Sequence, residues 1–226
     1  MNFITQAEIV SKKMILDNVI ELIVKPERLR PFTPGQFVQL SLDIVSASER
    51  WPESRTFSIA NHSKDYLRFF IKNQGFYTNK IINETSLGTK VTIKYPFGEM
   101  FHKKYISCRN IFIAGGLGIT PFLSLIEYFN SINNKNFHLF YSVKKTIEFI
   151  DLEKLKGSVE NLHLFTTQEE SKYTNRRINK DDLINLNIDV NDHFYICGSK
   201  EFINYFKDIL IEYSISLENV HMDEWE

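Results

Sequence analysis

The 226-residue sequence is poor in cysteine, in long apolar runs and in net charge. Its only two cysteines, Cys108 and Cys197, lie far apart and outside any CxxC pattern, which argues against a disulfide framework and a cysteine-ligated iron–sulfur cluster. No apolar run approaches the roughly 18 residues that a bilayer requires, and residues 1–6 lack a basic segment followed by an apolar stretch. The formal net charge of -1 gives no general attraction to nucleic acid or anionic membranes. We therefore expect a cytoplasmic protein with no nucleic-acid partner and no membrane insertion.

Two common catalytic patterns are also missing. No GxSxG segment is present, and Ser58, which lies between strand residues, has no evident base beside it. The six histidines show no close pairing on one helical face. The sequence therefore predicts neither a hydrolytic triad nor a metal site.

The chain divides into two regions with different patterns of predicted secondary structure. With 43% hydrophobic and 24% charged residues it has the composition of a globular protein, and it is long enough for one large core or two small ones. From Phe3 to about Lys104, short runs rich in Ile, Val, Phe and Thr are broken by proline and glycine, which predicts an all-β domain with one short helix over Asn79–Glu84. After Tyr105, strands alternate with helices, which predicts a parallel sheet with helices on both faces. The predicted domains are therefore residues 1–104 and 105–226.

The second region allows its elements to be placed. Strands are predicted near 111–114, 137–143, 161–166 and 193–197, and helices near 120–130, 148–156, 180–186 and 200–213. In the last helix, the residues at helical spacing that we predict to form the buried stripe are Phe202, Tyr205, Phe206, Ile209 and Leu210. Since ligands of parallel sheets sit at the carboxyl ends of the strands, we expect the binding residues of this region to follow those ends.

A glycine cluster joins the first of these strands to the first helix. The strand Ile111–Ala114 runs into Gly115-Gly116-Leu117-Gly118, and the helix then opens with Ile119-Thr120-Pro121. Glycine lets the backbone approach a ligand closely, and a helix N-terminus attracts negative charge. Proline suits the first helical turn. The loop is therefore a candidate phosphate-binding site, although tight strand-to-helix turns also use glycine for purely structural reasons.

The segment Arg55–Ile59 is a second candidate binding region. It offers a guanidinium for a pyrophosphate, an aromatic ring for a flat heterocycle and a small hydroxyl donor. In a regular strand, Arg55, Phe57 and Ile59 share one face while Thr56 and Ser58 lie on the other. One ligand could therefore touch both sets only at an edge or a bend. The alternative is a β-hairpin with an ordinary surface arginine.

Two further segments follow the second candidate region. Phe69–Lys72 reads as a strand, and Gly75–Thr78 reads as a glycine turn that opens a helix. Such a turn presents backbone donors, and Thr78 adds a hydroxyl. We therefore interpret Gly75 and Thr78 as a second phosphate contact.

In this order and spacing, the motifs resemble those of the ferredoxin-NADP reductase family of two-domain flavoenzymes, which includes flavin reductases and the reductase modules of flavohaemoglobins and oxygenases. The resemblance covers nearly the whole chain. Arg55–Ser58 resembles the family's RxYS motif with phenylalanine in place of tyrosine, Gly75–Thr78 resembles GxxS, and Ala114–Pro121 resembles AGGxGIxP. The remaining similar elements are the barrel segment Gly88–Gly98, Tyr141-Ser142 (YG), Glu148 (acidic), Tyr195–Gly198 (YxCG) and Asp223–Trp225 (ExF).

The resemblance implies a fold, a function and a set of site residues. The fold is an antiparallel flavin-binding β-barrel followed by a doubly wound α/β domain that binds NAD(P), and the implied activity is electron transfer from NAD(P)H to FAD or free flavin. Ser58 is assigned to flavin N5, Cys197 to the nicotinamide, and Trp225 to a cover over the flavin. The residues that the resemblance assigns to cofactor binding are Arg55, Thr56, Phe57, Ser58, Ile71, Lys72, Gly75, Phe76, Thr78, Gly115, Gly116, Gly118, Thr120, Pro121, Tyr141, Thr167, Cys197, Gly198, Asp223 and Trp225.

One of these assignments departs from the family motif, and two have structural alternatives. Phe57 would stack on the isoalloxazine ring, but it lacks the tyrosine hydroxyl, so one hydrogen bond to the flavin is missing. Cys197 ends a buried strand, where cysteine often serves packing alone. Trp225 could equally be part of a frayed tail or a cap on an apolar crevice.

The choice of nicotinamide depends on one phosphate. Members of the family that prefer NADPH place a Ser-Arg pair where this chain has Thr167-Gln168, followed by Glu169-Glu170. A missing guanidinium and two added carboxylates disfavour a 2′-phosphate, so we expect NADH to be preferred. The nearby cations Lys172, Arg176 and Arg177 could compensate.

Two classes of function remain open at this point. The chain could reduce a diffusible acceptor such as flavin, a quinone or ferric chelates, or it could be an electron-transfer subunit that docks on an iron–sulfur or haem partner. A chain without its own cluster fits both.

Overall fold

The computed structural model describes residues 3–46 and 48–224, with the Glu224 side chain excluded. The chain separates into two compact units. The first comprises Met1–Glu99 and Leu123–Glu127, and the second comprises Met100–Phe122 and Tyr128–Glu226. Residues 100–104, placed in the first domain by the sequence analysis, thus lie in the second unit.

The first unit is built on an antiparallel sheet. Its strands are β1 (Phe3–Leu16), β2 (Val19–Pro26), β3 (Phe37–Ser41), β4 (Arg55–Ser58), β5 (Leu67–Lys72) and β6 (Lys90–Phe97), and they are arranged in the order β4-β3-β6-β1-β2-β5. The amide of Ala60, just after β4, donates to the carbonyl of Arg68 in β5 at 2.9 Å, which links the two outer strands. The sheet is therefore a nearly closed barrel, as predicted.

Alternating side chains form the core of this barrel. In β2, Ile20, Leu22 and Val24 are all buried, because successive strand residues point to opposite faces. Helix α1 (Phe76–Glu84) adds Tyr77, Ile81 and Ile82 to the same apolar cluster. The helix predicted at Asn79–Glu84 is confirmed, and it begins three residues earlier, directly after Gly75.

The second unit contains a parallel sheet whose strands alternate with helices along the chain. The strands are β7 (Asn110–Gly115), β8 (Phe137–Val143), β9 (Asn161–Thr166), β10 (His193–Gly198) and β11 (Val220–Glu224), in the order β11-β10-β7-β8-β9. The helices are α2 (Thr120–Ser131), α3 (Leu152–Ser158), α4 (Lys180–Ile184) and α5 (Lys200–Glu212). The strand order reverses at β7, which has β8 on one side and β10 on the other. This arrangement confirms the predicted doubly wound fold.

Helices cover both faces of this sheet. On one face, Ile113 and Ile196 join a cluster with Leu183 of α4 and Phe206 of α5. On the other face, Phe112 stacks on Phe122 of α2, with ring centroids 5.2 Å apart. No helix within the described ranges is long and apolar enough to cross a membrane.

Three details differ from the sequence predictions. Helix α3 starts at Leu152 rather than near residue 148, because a 3₁₀ turn at Thr146–Glu148 and the left-handed Asp151 (φ 53°) precede it. The stripe predicted for α5 is wrong at Tyr205, which is exposed, while Ile203 is buried in its place. Strand β11 was not predicted.

Candidate functional site

The free edge of the barrel carries the first group of predicted site residues. Strand β4 is the outermost strand of its sheet and pairs only with β3 among the described strands. Arg55 and Thr56 are exposed, and Phe57 and Ser58 are buried. Burial along β4 therefore does not alternate as expected from the sequence: the two exposed residues precede the two buried ones, and the ligand contacts of this strand stay a prediction.

Arg55 lies beside the first turn of α1. Its guanidinium carbon is 4.8 Å from the centre of the Tyr77 ring, the second residue of that helix. Among the described residues, no side chain caps the α1 N-terminus at Gly75. The guanidinium thus contacts the side chain of a first-turn residue of α1, and a guanidinium and a helix N-terminus each favour an anion.

The backbone of Gly75 explains why glycine stands before α1. Gly75 has φ 156° and ψ -179°, a region that side-chain-bearing residues avoid. The Thr78 hydroxyl accepts from the Gln74 amide at 2.9 Å and donates to the Gly75 carbonyl at 3.1 Å. Thr78 therefore stabilises the turn itself, and its predicted contact with a phosphate requires that hydroxyl to change partner.

Ser58 has the clearest mark of a ligand-facing residue. It is only 2% exposed, and its Oγ has no hydrogen-bond partner within the described part of the chain. A buried hydroxyl without a partner is costly unless a ligand or water satisfies it. This orphaned atom fits the predicted hydrogen bond to a flavin.

Phe57 fits its predicted stacking role less well. Its ring is 5% exposed and packs in the barrel core against Phe69, with centroids 6.4 Å apart. Little ring surface is therefore open to a flavin, and the stacking role stays a prediction. In β5, Ile71 is likewise buried and Lys72 exposed, whereas Phe76, at the start of α1, is 81% exposed.

In the second unit, the predicted binding residues gather at the carboxyl ends of the parallel strands. A Cβ added to Gly118 would lie 2.1 Å from the carbonyl oxygen of Cys197 and 2.9 Å from the amide nitrogen of Gly198. The glycine loop after β7 therefore rests directly on the backbone at the end of β10. This contact lies where the strand order reverses, the usual place for a ligand in such folds.

Phe202 is a residue of this region that the sequence analysis assigned only to packing. Its ring lies 3.4 Å from the Cβ position of Gly115 and 2.8 Å from that of Gly198. Gly198 is thus needed to admit the ring, whereas a Cβ at Gly115 would come only into close van der Waals contact with it. The position of Phe202, four residues after Gly198, could have suggested this contact, but only if the direction of α5 relative to the sheet were known.

The start of α2 and the ends of β8 and β9 complete this edge. Gly116 adopts φ 55°, a left-handed value that favours glycine, and it begins a 3₁₀ turn that leads into α2. The Thr120 hydroxyl donates to the Leu117 carbonyl at 2.7 Å. No described side chain caps α2, and Pro121 lies in its first turn. Thr167 follows β9 and donates its amide to the Val143 carbonyl at 3.0 Å.

Tyr141 is placed in the core rather than on the edge. It is fully buried, packs against Phe149, and accepts a hydrogen bond from the Ile150 amide at 3.2 Å. Burial raises the pKa of the Tyr141 phenol, although this hydrogen bond opposes the shift. Its side chain therefore supports the sheet, and a direct contact with a cofactor stays a prediction.

Strand β11 brings Asp223 next to Cys197. The two residues are register partners in the parallel pair β10–β11. The Cys197 side chain is buried, and burial raises the pKa of the Asp223 carboxyl. The structure thus joins two predicted nicotinamide residues that are 26 positions apart. Trp225 lies outside the described residues.

Histidines that show no helical spacing are paired across strands. His193 Nδ1 and His221 Nε2 are 3.1 Å apart, and His138 Nδ1 and His163 Nε2 are 3.4 Å apart. Burial, followed by the nearby His193, lowers the pKa of His221 to about 4. Within residues 3–46 and 48–224, no group of three or more His, Cys, Asp or Glu side chains is placed to hold a metal ion.

Comparison with known proteins places this geometry in a family. Residues 112–208 match the family model described as "Oxidoreductase NAD-binding domain". The chain is 21% identical over 242 residues to a flavohemoprotein of Bacillus anthracis, an alignment that covers 95% of this chain and 59% of that protein. It is also 21% identical over 220 residues to the 2-halobenzoate 1,2-dioxygenase electron transfer component of Burkholderia cepacia, with 90% and 62% covered. The chain thus spans about three fifths of the length of these relatives.

A solved structure agrees with the sequence matches. The flavohem-like FAD/NAD-binding domain of nitric oxide dioxygenase from Vibrio cholerae O1 biovar El Tor is similar in fold, with a TM-score of 0.85, 16% sequence identity and 98% of each chain covered. Together with the sequence relatives and the order of the motifs, this similarity confirms the resemblance seen in the sequence. Over nearly its whole length, the chain is therefore similar in sequence and fold to proteins of the ferredoxin-NADP reductase type, and residues 112–208 match an oxidoreductase NAD-binding domain.

Proposed function

We propose that the chain is an NAD(P)H-dependent flavin oxidoreductase that passes electrons from a nicotinamide to FAD, or to free flavin, and on to an acceptor. The observation that carries the proposal is the contact of the Arg55 guanidinium with the ring of Tyr77, a first-turn residue of α1. This helix has no side-chain cap at Gly75, and a guanidinium and an open helix N-terminus each favour a phosphate group. When bound, FAD would supply the chemistry by accepting a hydride from the nicotinamide. The protein itself binds, orients and excludes water.

The residues of the first unit take three roles in this proposal. Arg55 and the first amides of α1, held by Gly75, bind the flavin phosphates. The Ser58 hydroxyl donates to flavin N5, and it can do so without first breaking another hydrogen bond in the described structure. Lys72 and Phe76 are exposed near the ends of their elements and are proposed to border the flavin.

The second unit is proposed to bind the dinucleotide. Its glycine loop and the uncapped start of α2 suit the pyrophosphate, because backbone amides and a helix N-terminus both favour negative charge. Cys197 and its strand partner Asp223 are proposed to orient the nicotinamide. From the family resemblance, Trp225 is proposed to cover the flavin until the nicotinamide arrives.

We infer that NADH is preferred over NADPH. The Glu169 carboxylate accepts a hydrogen bond from the Thr146 amide, and hydrogen bonding to Thr146 lowers the pKa of Glu169, so this group is negatively charged at neutral pH. Arg176, one of the cations that could offset it, is held by Asp182 through two hydrogen bonds of 2.7 Å. A 2′-phosphate near this loop would meet repulsion. The ratio of kcat/KM for NADH and NADPH tests this preference, and a ratio below one would refute it.

The binding experiment compares two arginine variants. Arg55→Ala should weaken FAD binding by about 10–100-fold, since a hydrogen bond to a charged group contributes roughly 1.5–3 kcal/mol. The matched control is Arg28→Ala, an exposed arginine of the same unit that also lies over an aromatic ring, Phe3. Quenching of FAD fluorescence measures the affinity of each variant for FAD. Equal affinities for the two variants would refute the assigned phosphate site.

A second candidate function is an electron-transfer subunit that serves an iron–sulfur or haem partner. It is favoured by the relatives, one named an electron transfer component and one a flavohemoprotein, of which this chain spans about three fifths. Tightly bound, stoichiometric FAD with slow reduction of small acceptors would support this function. Fast flavin turnover without bound pigment would support the free-standing reductase.

A further inference from the structure

Tyr77 occupies a position between the two halves of the proposed flavin phosphate site. It is buried, it is the second residue of α1, and its ring centre lies 4.8 Å from the guanidinium carbon of Arg55. A guanidinium at this distance from an aromatic ring is held by a cation–π contact. The same side chain therefore belongs to the helix and supports the arginine.

The hydroxyl of Tyr77 fixes the connection between β3 and β4. It donates to the Glu53 carbonyl at 2.9 Å and accepts from the Leu42 amide at 2.9 Å. Leu42 directly follows β3, and Glu53 lies two residues before β4. Tyr77 thus ties the start of α1 to both ends of the segment that leads into Arg55.

The other contacts of Arg55 are weak restraints. Its Nη1 donates to the Ser54 carbonyl at 2.8 Å, and its Nη2 lies 3.2 Å from Oε1 of Glu53, a pair in which both side chains are about half exposed. Exposed ion pairs of this kind hold a side chain poorly. Among the described contacts of Arg55, the Tyr77 ring is the one that is buried and held by a hydrogen bond at its far end.

We propose that Tyr77 is a positioning residue that presents the Arg55 guanidinium beside the α1 N-terminus and thereby selects flavins that carry a phosphate. This proposal rests on the proposed function, because it assumes that the site takes a flavin. FAD and FMN carry phosphate, whereas riboflavin does not. Loss of the ring should therefore weaken FAD and FMN binding and leave riboflavin binding unchanged.

The test compares Tyr77→Leu, which removes ring and hydroxyl, with Tyr77→Phe, which keeps the ring. We expect Tyr77→Leu to weaken FAD and FMN at least tenfold and riboflavin less than twofold, while Tyr77→Phe weakens FAD less than threefold. Tyr95→Phe is the matched control, since Tyr95 is a buried tyrosine of the same unit whose hydroxyl accepts a backbone amide, from Arg30, at 2.8 Å. Affinities are measured by fluorescence titration.

A double-mutant cycle adds a second readout. If Tyr77 acts through Arg55, the double variant Tyr77→Leu/Arg55→Ala should bind FAD no more than twofold weaker than Arg55→Ala alone. Full additivity, or equal loss of all three flavins in Tyr77→Leu, would show a merely structural role and overturn the proposal. Wild-type protein that binds none of the three would refute the proposed function, and this inference with it.

Discussion

Replacing Gly118 by alanine tests the glycine loop most sharply, because the cost can be worked out from backbone positions. The added Cβ would stand 2.1 Å from the Cys197 carbonyl oxygen and 2.5 Å from its carbon. Gly118 has no left-handed backbone angle, so the effect is steric rather than conformational. Because both partners are backbone atoms, the loop and the end of β10 must separate by about 1 Å to restore ordinary contact.

This displacement should lower the rate of reaction with NADH and leave the affinity for flavin unchanged. A shift of about 1 Å in a binding element can lower a reaction rate by roughly 100-fold, and overpacking costs about 1–3 kcal/mol of stability. We expect kcat/KM for NADH to fall 10- to 100-fold in Gly118→Ala. The FAD dissociation constant should change less than twofold, since the residues proposed to bind the flavin lie in the other unit.

The matched control is Gly157→Ala in α3, where an added Cβ meets no atom within 4 Å. Alanine is favoured over glycine in a helix, so this variant should be as stable as the parent or up to about 1 kcal/mol more stable. The assay is anaerobic stopped-flow reduction of the FAD-loaded protein by NADH, with thermal unfolding in parallel. A Gly118→Ala protein that keeps kcat/KM for NADH within twofold would refute the account of this loop.

Three further predictions concern single groups. Ser58→Ala should leave the thermal stability of the flavin-free protein unchanged, because no described hydrogen bond is lost. The same variant should lower kcat for flavin reduction about 10- to 100-fold. A lower stability with an unchanged kcat would contradict this prediction. His221, whose folded pKa of about 4 lies below the ordinary 6.5, should make the protein lose stability as pH falls from about 6.5 to 4, since only the unfolded chain takes up the proton in that range. His221→Gln should reduce this loss in Tm, and an unchanged pH profile would count against a lowered pKa of the buried His221 imidazole. Glu53→Gln removes the carboxylate that pairs with Arg55. It should tighten FAD binding about two- to fivefold at low salt, and it should leave FAD binding unchanged at about 1 M salt, where exposed charges are screened. Weaker FAD binding by this variant would show instead that the ion pair orients the guanidinium.

Much of the second unit could be predicted from the sequence, because its strands and helices are local patterns. The strand Ile111–Ala114 is a continuous apolar run, and the glycines that follow it mark the turn into α2. The beginning of α3 could not be predicted, because a short 3₁₀ turn and a left-handed Asp151 have no periodic signal. Strand β11 is short and pairs only with β10 among the described strands, so its existence depends on a contact distant in sequence.

The sites show a similar limit. Alternation in β4 predicts that Arg55 and Phe57 share a face opposite Ser58, but burial along the strand does not alternate: Arg55 is exposed, whereas Phe57 and Ser58 are both buried. Four residues do not reveal which side chains the barrel core takes up, and the Phe57 ring packs inside the barrel. The roles of Tyr77 and Phe202 depend on helix direction relative to the strands. The pairing of His193 with His221 is likewise set by strand register, which periodicity within one segment does not encode.

The most direct test of the central claim is the visible spectrum of the purified protein, loaded with FAD and titrated with NADH without oxygen. The account predicts that FAD binds in a saturable manner and that its visible absorption band is lost on addition of about one equivalent of NADH per flavin. The same titration with Arg55→Ala should require about 10–100-fold more FAD to load the protein. A wild-type protein that binds no flavin, or whose bound flavin stays oxidised with both NADH and NADPH, would contradict the account.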